Sequence, residues 1–141
     1  MSQPKIVPDG FQRHFRQSGL TDPWEPLYSR TTDEAVIIGL IAGPAHANSR
    51  GFVHGGLISA LADNAMGLSC GLKLDGTGGL VTVSLAVDFL ATARVGQWLA
   101  FVTGFVKAGA TLCFAQSFVT ADDMVSTRAN ATFKTVRPAS A

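Results

Sequence analysis

The stretch LISALADNAMGLSC, residues 57–70, is followed after a turn by VTVSLAVDF, residues 81–89, and the change of period between them sets the fold class. The first stretch is longer than an ordinary strand, rich in Leu and Ala, and follows Gly55-Gly56. A helix is therefore expected from Leu57 to Cys70. In the second stretch Val81, Val83, Leu85, Val87 and Phe89 alternate with Thr82, Ser84, Ala86 and Asp88, the period of a half-exposed strand. Gln97–Lys107, Leu112–Thr120 and Val125–Val136 read as three more strands, joined by Ala108-Gly109-Ala110 and Ala121-Asp122-Asp123. Turns this short force antiparallel pairing, because a parallel return needs about a dozen residues. Upstream, Ala35–Ala42 is a buried strand and Gly43–Arg50 a loop, while Leu74–Gly79 reads as a turn. Asp9–Gly19 places Phe11 and Phe15 four apart, which suits a short amphipathic helix ended by glycine. One apolar helix followed by a meander predicts an α+β fold with the sheet wrapped around the helix.

The chain has 141 residues, a length that suits one domain. Such a length buries about 68% of the unfolded surface without staples. The composition is 47% hydrophobic and 15% charged, against a usual charged fraction of about 25%. Part of the apolar surface is therefore expected to face another subunit. A formal charge of +1 with no basic block leaves nucleic-acid binding little to work with. Cys70 and Cys113 lie in apolar stretches without CxxC spacing, so they read as buried, inert thiols and not as a disulfide or zinc site. The N-terminus lacks the apolar run of a signal peptide, which predicts a cytoplasmic protein. No membrane span is expected: Leu57–Leu72 is 16 residues long and contains Asp63, whereas a spanning helix needs about 20 apolar residues.

Asp63 is the only Lys, Arg, Asp or Glu between Gly51 and Leu72. With Leu57 at zero and about 100° per residue, Leu61, Ala65 and Leu68 fall within about 80° of it as a sheet-facing stripe. Asp63 falls near ~240°, beside Gly56, Ser59, Gly67 and Cys70, on a second face that also needs a cover. A carboxylate there either caps a backbone or pairs with an arginine, or it is held ready for chemistry in a subunit cleft. His54-Gly55-Gly56 opens the helix. Free N–H groups and the macrodipole make that end electropositive, which suits a developing oxyanion. The same glycines also fit a plain strand-to-helix turn. His54 and Asp63 stand nine residues apart, about 13 to 14 Å along one helix. They cannot both reach one carbonyl. If they share a reaction centre, Asp63 comes from a second copy whose helix runs antiparallel, as in a two-fold dimer.

NSRGFVHGG at residues 48–56, followed by Leu57–Leu61 and Asp63-Asn64, resembles the signature of hotdog-fold acyl-CoA thioesterases. It is most like the phenylacetic-acid-pathway subgroup that includes thioesterase superfamily member 2, and the likeness extends over roughly residues 30–136. The resemblance implies a hotdog fold, a curved antiparallel sheet wrapped around one long central helix. Residues 1–30 would form an N-terminal segment with the short helix, and residues 31–137 the thioesterase domain. A homodimer with a continuous sheet and a shared active site is implied, often paired into a homotetramer, with no metal and no organic cofactor. By the same resemblance the Gly55 N–H polarises the thioester carbonyl, and Asn48 helps hold its oxygen or the attacking water. His54 shapes the loop. Asp63 from the partner acts as base or nucleophile, and Thr82 positions water, its parity beside Ser84 being compatible with that. Lys107, Gly109 and Thr111 resemble the turn at the nucleotide end of coenzyme A, although Ala110 stands where a basic residue is common. The implied reaction is hydrolysis of an acyl- or aryl-CoA thioester to free acid and CoA. The alternative is a non-catalytic acyl-CoA-binding hotdog sensor.

Other chemistries fit the residues less well. There is no GxSxG elbow for a serine hydrolase. His14, His46 and His54 show no HExxH or i,i+4 pairing for a metal hydrolase. Gly76-Thr77-Gly78-Gly79 lacks the Lys-Ser/Thr of a P-loop. Hotdog sensors that regulate transcription usually carry a DNA-binding helical segment, and only about 30 residues precede the fold here, with no basic face.

Overall fold

Seven strands, all antiparallel, form in a computed structural model that describes residues 6–74 and 79–136. They are β1 (Gln12–Arg13), β2 (Tyr28–Thr31), β3 (Val36–Ile41), β4 (Gly79–Phe89), β5 (Trp98–Ala108), β6 (Leu112–Ala121) and β7 (Met124–Val136). They form one sheet in the order β1-β2-β3-β5-β6-β7-β4. The single α-helix among the described residues, α1, runs from Gly55 to Leu72 and packs against β3, β4, β5, β6 and β7. Only β5-β6-β7 is the expected meander. Strand β4 lies beside β7 at the far edge, because α1 crosses the sheet and delivers the chain to the side opposite β3. The tight β6–β7 turn places Asp122 and Asp123 at φ 47° and 68°, the left-handed pair a two-residue hairpin demands. Asp122 Oδ1 also accepts the Trp98 N–H at 3.0 Å, tying this turn to β5. Of the expected turn at Leu74–Gly79, residues 75–78 lie outside the described residues, as does most of the glycine run at 76–79.

Helix α1 is two residues longer at each end than the pattern predicts. His54 is its N-cap: the Gly56 N–H donates to His54 Nδ1 at 2.8 Å, so the two glycines start the helix instead of preceding it. Leu57, Ile58, Leu61, Ala62, Ala65, Met66, Ser69 and Cys70 are buried. That arc is wider than the expected stripe because the sheet curls around the helix. Leu68 sits half-buried at its border, and Cys70 belongs to the core, not to the face of Asp63. Ser69 Oγ accepts the Val36 N–H at 3.1 Å, fixing α1 to β3. Burial, reinforced by the neighbouring Cys113, pushes the Cys70 thiol far up, and both cysteines are free and buried, as expected.

The segment Asp9–Gly19 is not helical. Gln12 and Arg13 pair with Ser29 and Tyr28, adding β1 to the sheet. Tertiary contacts outweigh the Phe11–Phe15 spacing. Phe11 packs edge-on against Trp98 with ring centroids 5.0 Å apart, and the His14 N–H donates to Leu27 O at 2.9 Å. A helix would forgo both, and Phe15 is left exposed.

Gly39 in β3 lies flat under Trp98. A Cβ there would run into the indole and approach Leu99 O to 3.3 Å. Gly39→Ala should therefore lower stability by about 1–3 kcal/mol through overpacking. Urea unfolding checks this, and an unchanged midpoint would show that the indole moves aside at no cost.

Candidate active site

Two groups of the expected site residues assemble, at separate places in the chain. The first surrounds the start of α1. Asn48 Oδ1 accepts the backbone N–H groups of Arg50 and Phe52 at 2.9 and 3.2 Å, and the Asn48 N–H donates to Phe52 O at 2.8 Å. The side-chain oxygen is thus committed to the loop, which leaves the amide NH₂ as the group able to hold another oxygen. His46 locks the approach to this loop. Its Nδ1 accepts the Gly43 N–H at 2.8 Å, so Nε2 carries the proton and donates to Trp24 O at 2.8 Å. The His54 N–H donates to His46 O at 2.9 Å. With Gly56 capped by His54, the Gly55 N–H has no acceptor among the described residues. The Phe89 ring closes over it: a Cβ on Gly55 would come within 3.0 Å of Phe89 Cζ.

The second group holds Asp63. Thr82 Oγ1 donates to Asp63 Oδ1 at 2.7 Å. Strict alternation along β4 would have turned Thr82 to the face shared by Ser84. A β-bulge prevents this: Thr82 pairs with Phe133 and Ser84 with Thr132, so Val83 is the extra residue and Thr82 swings to the helix side. Asp63 and Thr82 line one cavity of about 520 Å³. Leu61, Gly67 and Leu68 of α1, Ile38 of β3, Leu80 of β4 and Phe133 of β7 form its walls. The N-terminal segment closes it with His14, Phe15, Arg16, Ser18 and Thr21. Asn48, His54 and Gly55 do not line this cavity. Gly55 and Asp63 are eight residues apart on α1, about 12 Å along its axis.

Lys107, Gly109 and Thr111 sit together at the β5–β6 hairpin. The Gly109 N–H donates to Leu112 O at 2.8 Å, and Thr111 O accepts the Thr135 N–H at 2.9 Å. A Cβ on Gly109 would stand 2.8 Å from Leu112 O, so glycine is needed for this turn. Register places Lys134 opposite Leu112. The hairpin therefore has a cation from β7 that the Ala110 position does not supply.

Sequence reasoning missed His14 and Arg16 because their segment reads as a helix on spacing alone. It also missed His46, whose role lies in contacts to Gly43 and Trp24 that no local pattern encodes. Burial lowers the His14 pKa, an effect that Glu25 opposes and Arg16 reinforces. Among the described residues no group of three or more His, Cys, Asp and Glu side chains could hold a metal ion. Nor is any described helix long and apolar enough to cross a membrane.

Known proteins share the family and the fold of this chain. The family model described as Thioesterase superfamily matches residues 50–127. A putative esterase of Pseudomonas aeruginosa is 38% identical over 112 residues, 79% of this chain and 84% of that protein. Acyl-coenzyme A thioesterase 13 of Mus musculus is 31% identical over 84 residues, 58% of each chain. Zebra fish thioesterase superfamily member 2 superposes with a TM-score of 0.75 at 20% identity, covering 84% of this chain and 87% of that one. A hypothetical thioesterase from Streptococcus pneumoniae, solved with coenzyme A, gives a TM-score of 0.72 at 21% identity, covering 81% and 88%. The structural likenesses identify the architecture as the hotdog fold, and with the family match spanning more than half its length the chain belongs to the thioesterase superfamily, as a thioester hydrolase.

Proposed function

We propose that the protein hydrolyses acyl-CoA thioesters in a site shared by two copies, with Asn48 and Gly55 from one and Asp63 and Thr82 from the other. The observation that carries this reading is the separation just described. Asp63 lies in a cavity with Thr82, about 12 Å along α1 from the free Gly55 N–H. Strand β4 supports the pairing. It is 11 residues long, forms a sheet edge, and exposes Val81, Val83, Leu85 and Phe89. An open apolar edge of that length is a template for another strand. Antiparallel pairing of two β4 strands about a two-fold axis would continue the sheet and set the helices antiparallel. Each Asp63 then approaches the partner's Gly55. Phe105, Phe114 and Phe118 on the outer sheet face provide the apolar surface for joining two such dimers.

The chemistry follows from these groups. The thioester carbonyl oxygen takes the Gly55 N–H and the Asn48 amide, which meet the negative charge that develops on attack. Thr82 holds Asp63 Oδ1, leaving Oδ2 to take a proton from water as its oxygen bonds to the carbonyl carbon. Collapse of the tetrahedral intermediate breaks the C–S bond, and the proton returns to the CoA thiolate. His54 acts through the cap it gives the helix. Lys107, Gly109 and Thr111 border the nucleotide end of the substrate, with Lys134 adding charge.

Asp63→Asn should leave a folded dimer and lower kcat by about 10²–10⁴, the usual weight of a positioned base. Thiol release from a panel of acyl- and aryl-CoA esters, alongside circular dichroism, checks this. Turnover at the wild-type rate by the folded variant would remove Asp63 from the reaction.

Mixing Asp63→Asn with an inactive Asn48→Ala protein should restore activity, because one of the two sites in a mixed dimer keeps both intact halves. Native mass spectrometry reports whether mixed dimers form. If they do and no activity returns, the shared site is wrong.

Gly55→Val forces a side chain into Phe89 and into the path of the carbonyl, so turnover should fall by about 10²–10³. His54→Asn retains an acceptor at the cap and should cost far less. Steady-state kinetics on the folded variants decide, and the reverse order would assign the chemistry to the imidazole.

A further inference from the structure

Two contacts inside one chain fix how the residues of the edge strand β4 stand along α1. At one end Thr82 Oγ1 donates to Asp63 Oδ1 at 2.7 Å. At the other, the Phe89 ring lies so close to Gly55 that a Cβ there would meet Cζ at 3.0 Å. Helix and strand therefore run antiparallel, with Thr82 level with Asp63 and Phe89 level with Gly55. A two-fold axis that carries Gly55 to the partner's Asp63 must also carry Phe89 to the level of the partner's Thr82. Such an axis passes halfway between the members of each pair. On α1 the halfway residue is Ser59. On β4 it is Ala86, once Thr82 and Val83 are counted as the single position that the bulge makes of them.

Side-chain direction agrees with this position. Leu85 and Val87 pair with the buried Ala131 and Ala129 of β7, whereas Ala86 and Asp88 pair with the exposed Asn130 and Arg128. Antiparallel pairing about an axis normal to the sheet sets residues of one face opposite each other. With Ala86 on the axis, Leu85 stands opposite the partner's Val87, and Ser84 opposite the partner's Asp88. Two apolar chains then meet on the helix side, and a hydroxyl meets a carboxylate on the outer side. Asp88 keeps its 2.8 Å ion pair with Arg128 and gains a second donor. Moving the axis by one residue removes this match. Through Leu85 it sets Asp88 opposite the partner's Val81, and through Val87 opposite the partner's Ala86. Neither of those side chains can donate. Nor does β4 carry a Lys or Pro, the residues that commonly keep a second strand off an edge.

We propose that two copies join through β4 in the register that sets Ala86 opposite itself, Ser84 opposite the partner's Asp88, and Phe89 opposite the partner's Thr82. This rests on the shared site proposed above, and it adds a residue to that site. The Phe89 ring, already against Gly55, becomes a wall between Gly55 and the partner's Thr82.

Single cysteines in the full chain read the register directly. Residues paired across antiparallel strands have Cα atoms about 4.5–5.5 Å apart, inside the disulfide range of about 4.4–6.8 Å. Diagonal neighbours stand about 7–8 Å apart, outside it. Oxidised with copper–phenanthroline, Ala86→Cys should run as a covalent dimer on a denaturing, non-reducing gel, and the band should vanish with reductant. Leu85→Cys and Val87→Cys should each stay unlinked, as should wild type, whose Cys70 and Cys113 are buried. Ser84→Cys mixed with Asp88→Cys should give a linked dimer that neither gives alone, and this pair decides if Ala86→Cys does not fold. Linking by Leu85→Cys or Val87→Cys in place of Ala86→Cys would overturn the register. A chain that is monomeric by native mass spectrometry, or a dimer that none of these cysteines links, would overturn it too. The two proposals fail separately. A linked Ala86→Cys dimer supports the register even if no ester is hydrolysed. Activity restored by mixing Asp63→Asn with Asn48→Ala, without linking by Ala86→Cys or by the Ser84→Cys and Asp88→Cys pair, keeps the shared site and overturns the register.

Discussion

Eight side chains of α1, from Leu57 to Cys70, are buried between the helix and the inner face of the sheet. Leu57, Ile58, Leu61 and Met66 contribute about 1.5–3 kcal/mol each, on a scale where a whole domain nets about 5–15 kcal/mol. A helix that buries so wide an arc needs strands on several sides, and five of the seven strands touch it. The same burial defines what is left out. The flank carrying Ala60, Asp63, Asn64, Gly67 and Gly71 lies outside that buried arc and meets the sheet only at its β7–β4 edge, so the one carboxylate of the helix is spared the desolvation that core positions impose. Fold and site are two sides of one helix.

The β4 bulge orients the candidate catalytic carboxylate. Without the extra residue at Val83, Thr82 would face away and Asp63 would have no hydroxyl to orient it. With it, the 2.7 Å bond from Thr82 Oγ1 holds one carboxylate oxygen in place. The bulge also sits in an edge strand, where a ladder disruption costs least because one side has no partner within the chain.

Much of this was legible in the sequence, and the limits have physical causes. The helix follows from its length and its Leu and Ala content, β3 from a short β-branched run that is buried on both faces, and β4 from its alternation. The pair Asp63 and His54-Gly55-Gly56 was legible because a lone carboxylate and a glycine-rich helix start break the local apolar pattern. The candidate site residues Asn48, Thr82, Lys107, Gly109 and Thr111 came from family resemblance, and the parity that Thr82 shares with Ser84 in the sequence is broken by the bulge between them. A bulge leaves no reliable trace in a sequence, because one inserted Val looks like one more strand residue. The N-terminal segment was misread for a related reason. Its strand is two residues long, far below the length at which period speaks, and is held by Trp98 and Leu27 from distant parts of the chain. The neighbour of β4 was also unreadable, since a crossover of the helix over the sheet decides it.

A candidate site on the flank that the fold does not use has a consequence for assembly. Within one chain the groups that would hold an oxyanion and the carboxylate that would attack are kept apart by the rigid rise of α1, which no side-chain rotation can shorten. The exposed residues of β4 and the outer faces of β5 and β6 meanwhile leave a single copy with large apolar side chains open to water, among them Val81, Val83, Phe89, Phe105 and Phe114. On the reading proposed here, one event resolves both problems. Pairing β4 strands covers the edge, and it shortens the distance between the two half-sites to that of a single reaction centre. The free energy of association, drawn from apolar burial, then positions Asp63 against a carbonyl without straining either chain. Residues of the half-sites can therefore be tuned to the reaction while the core of each copy keeps its packing.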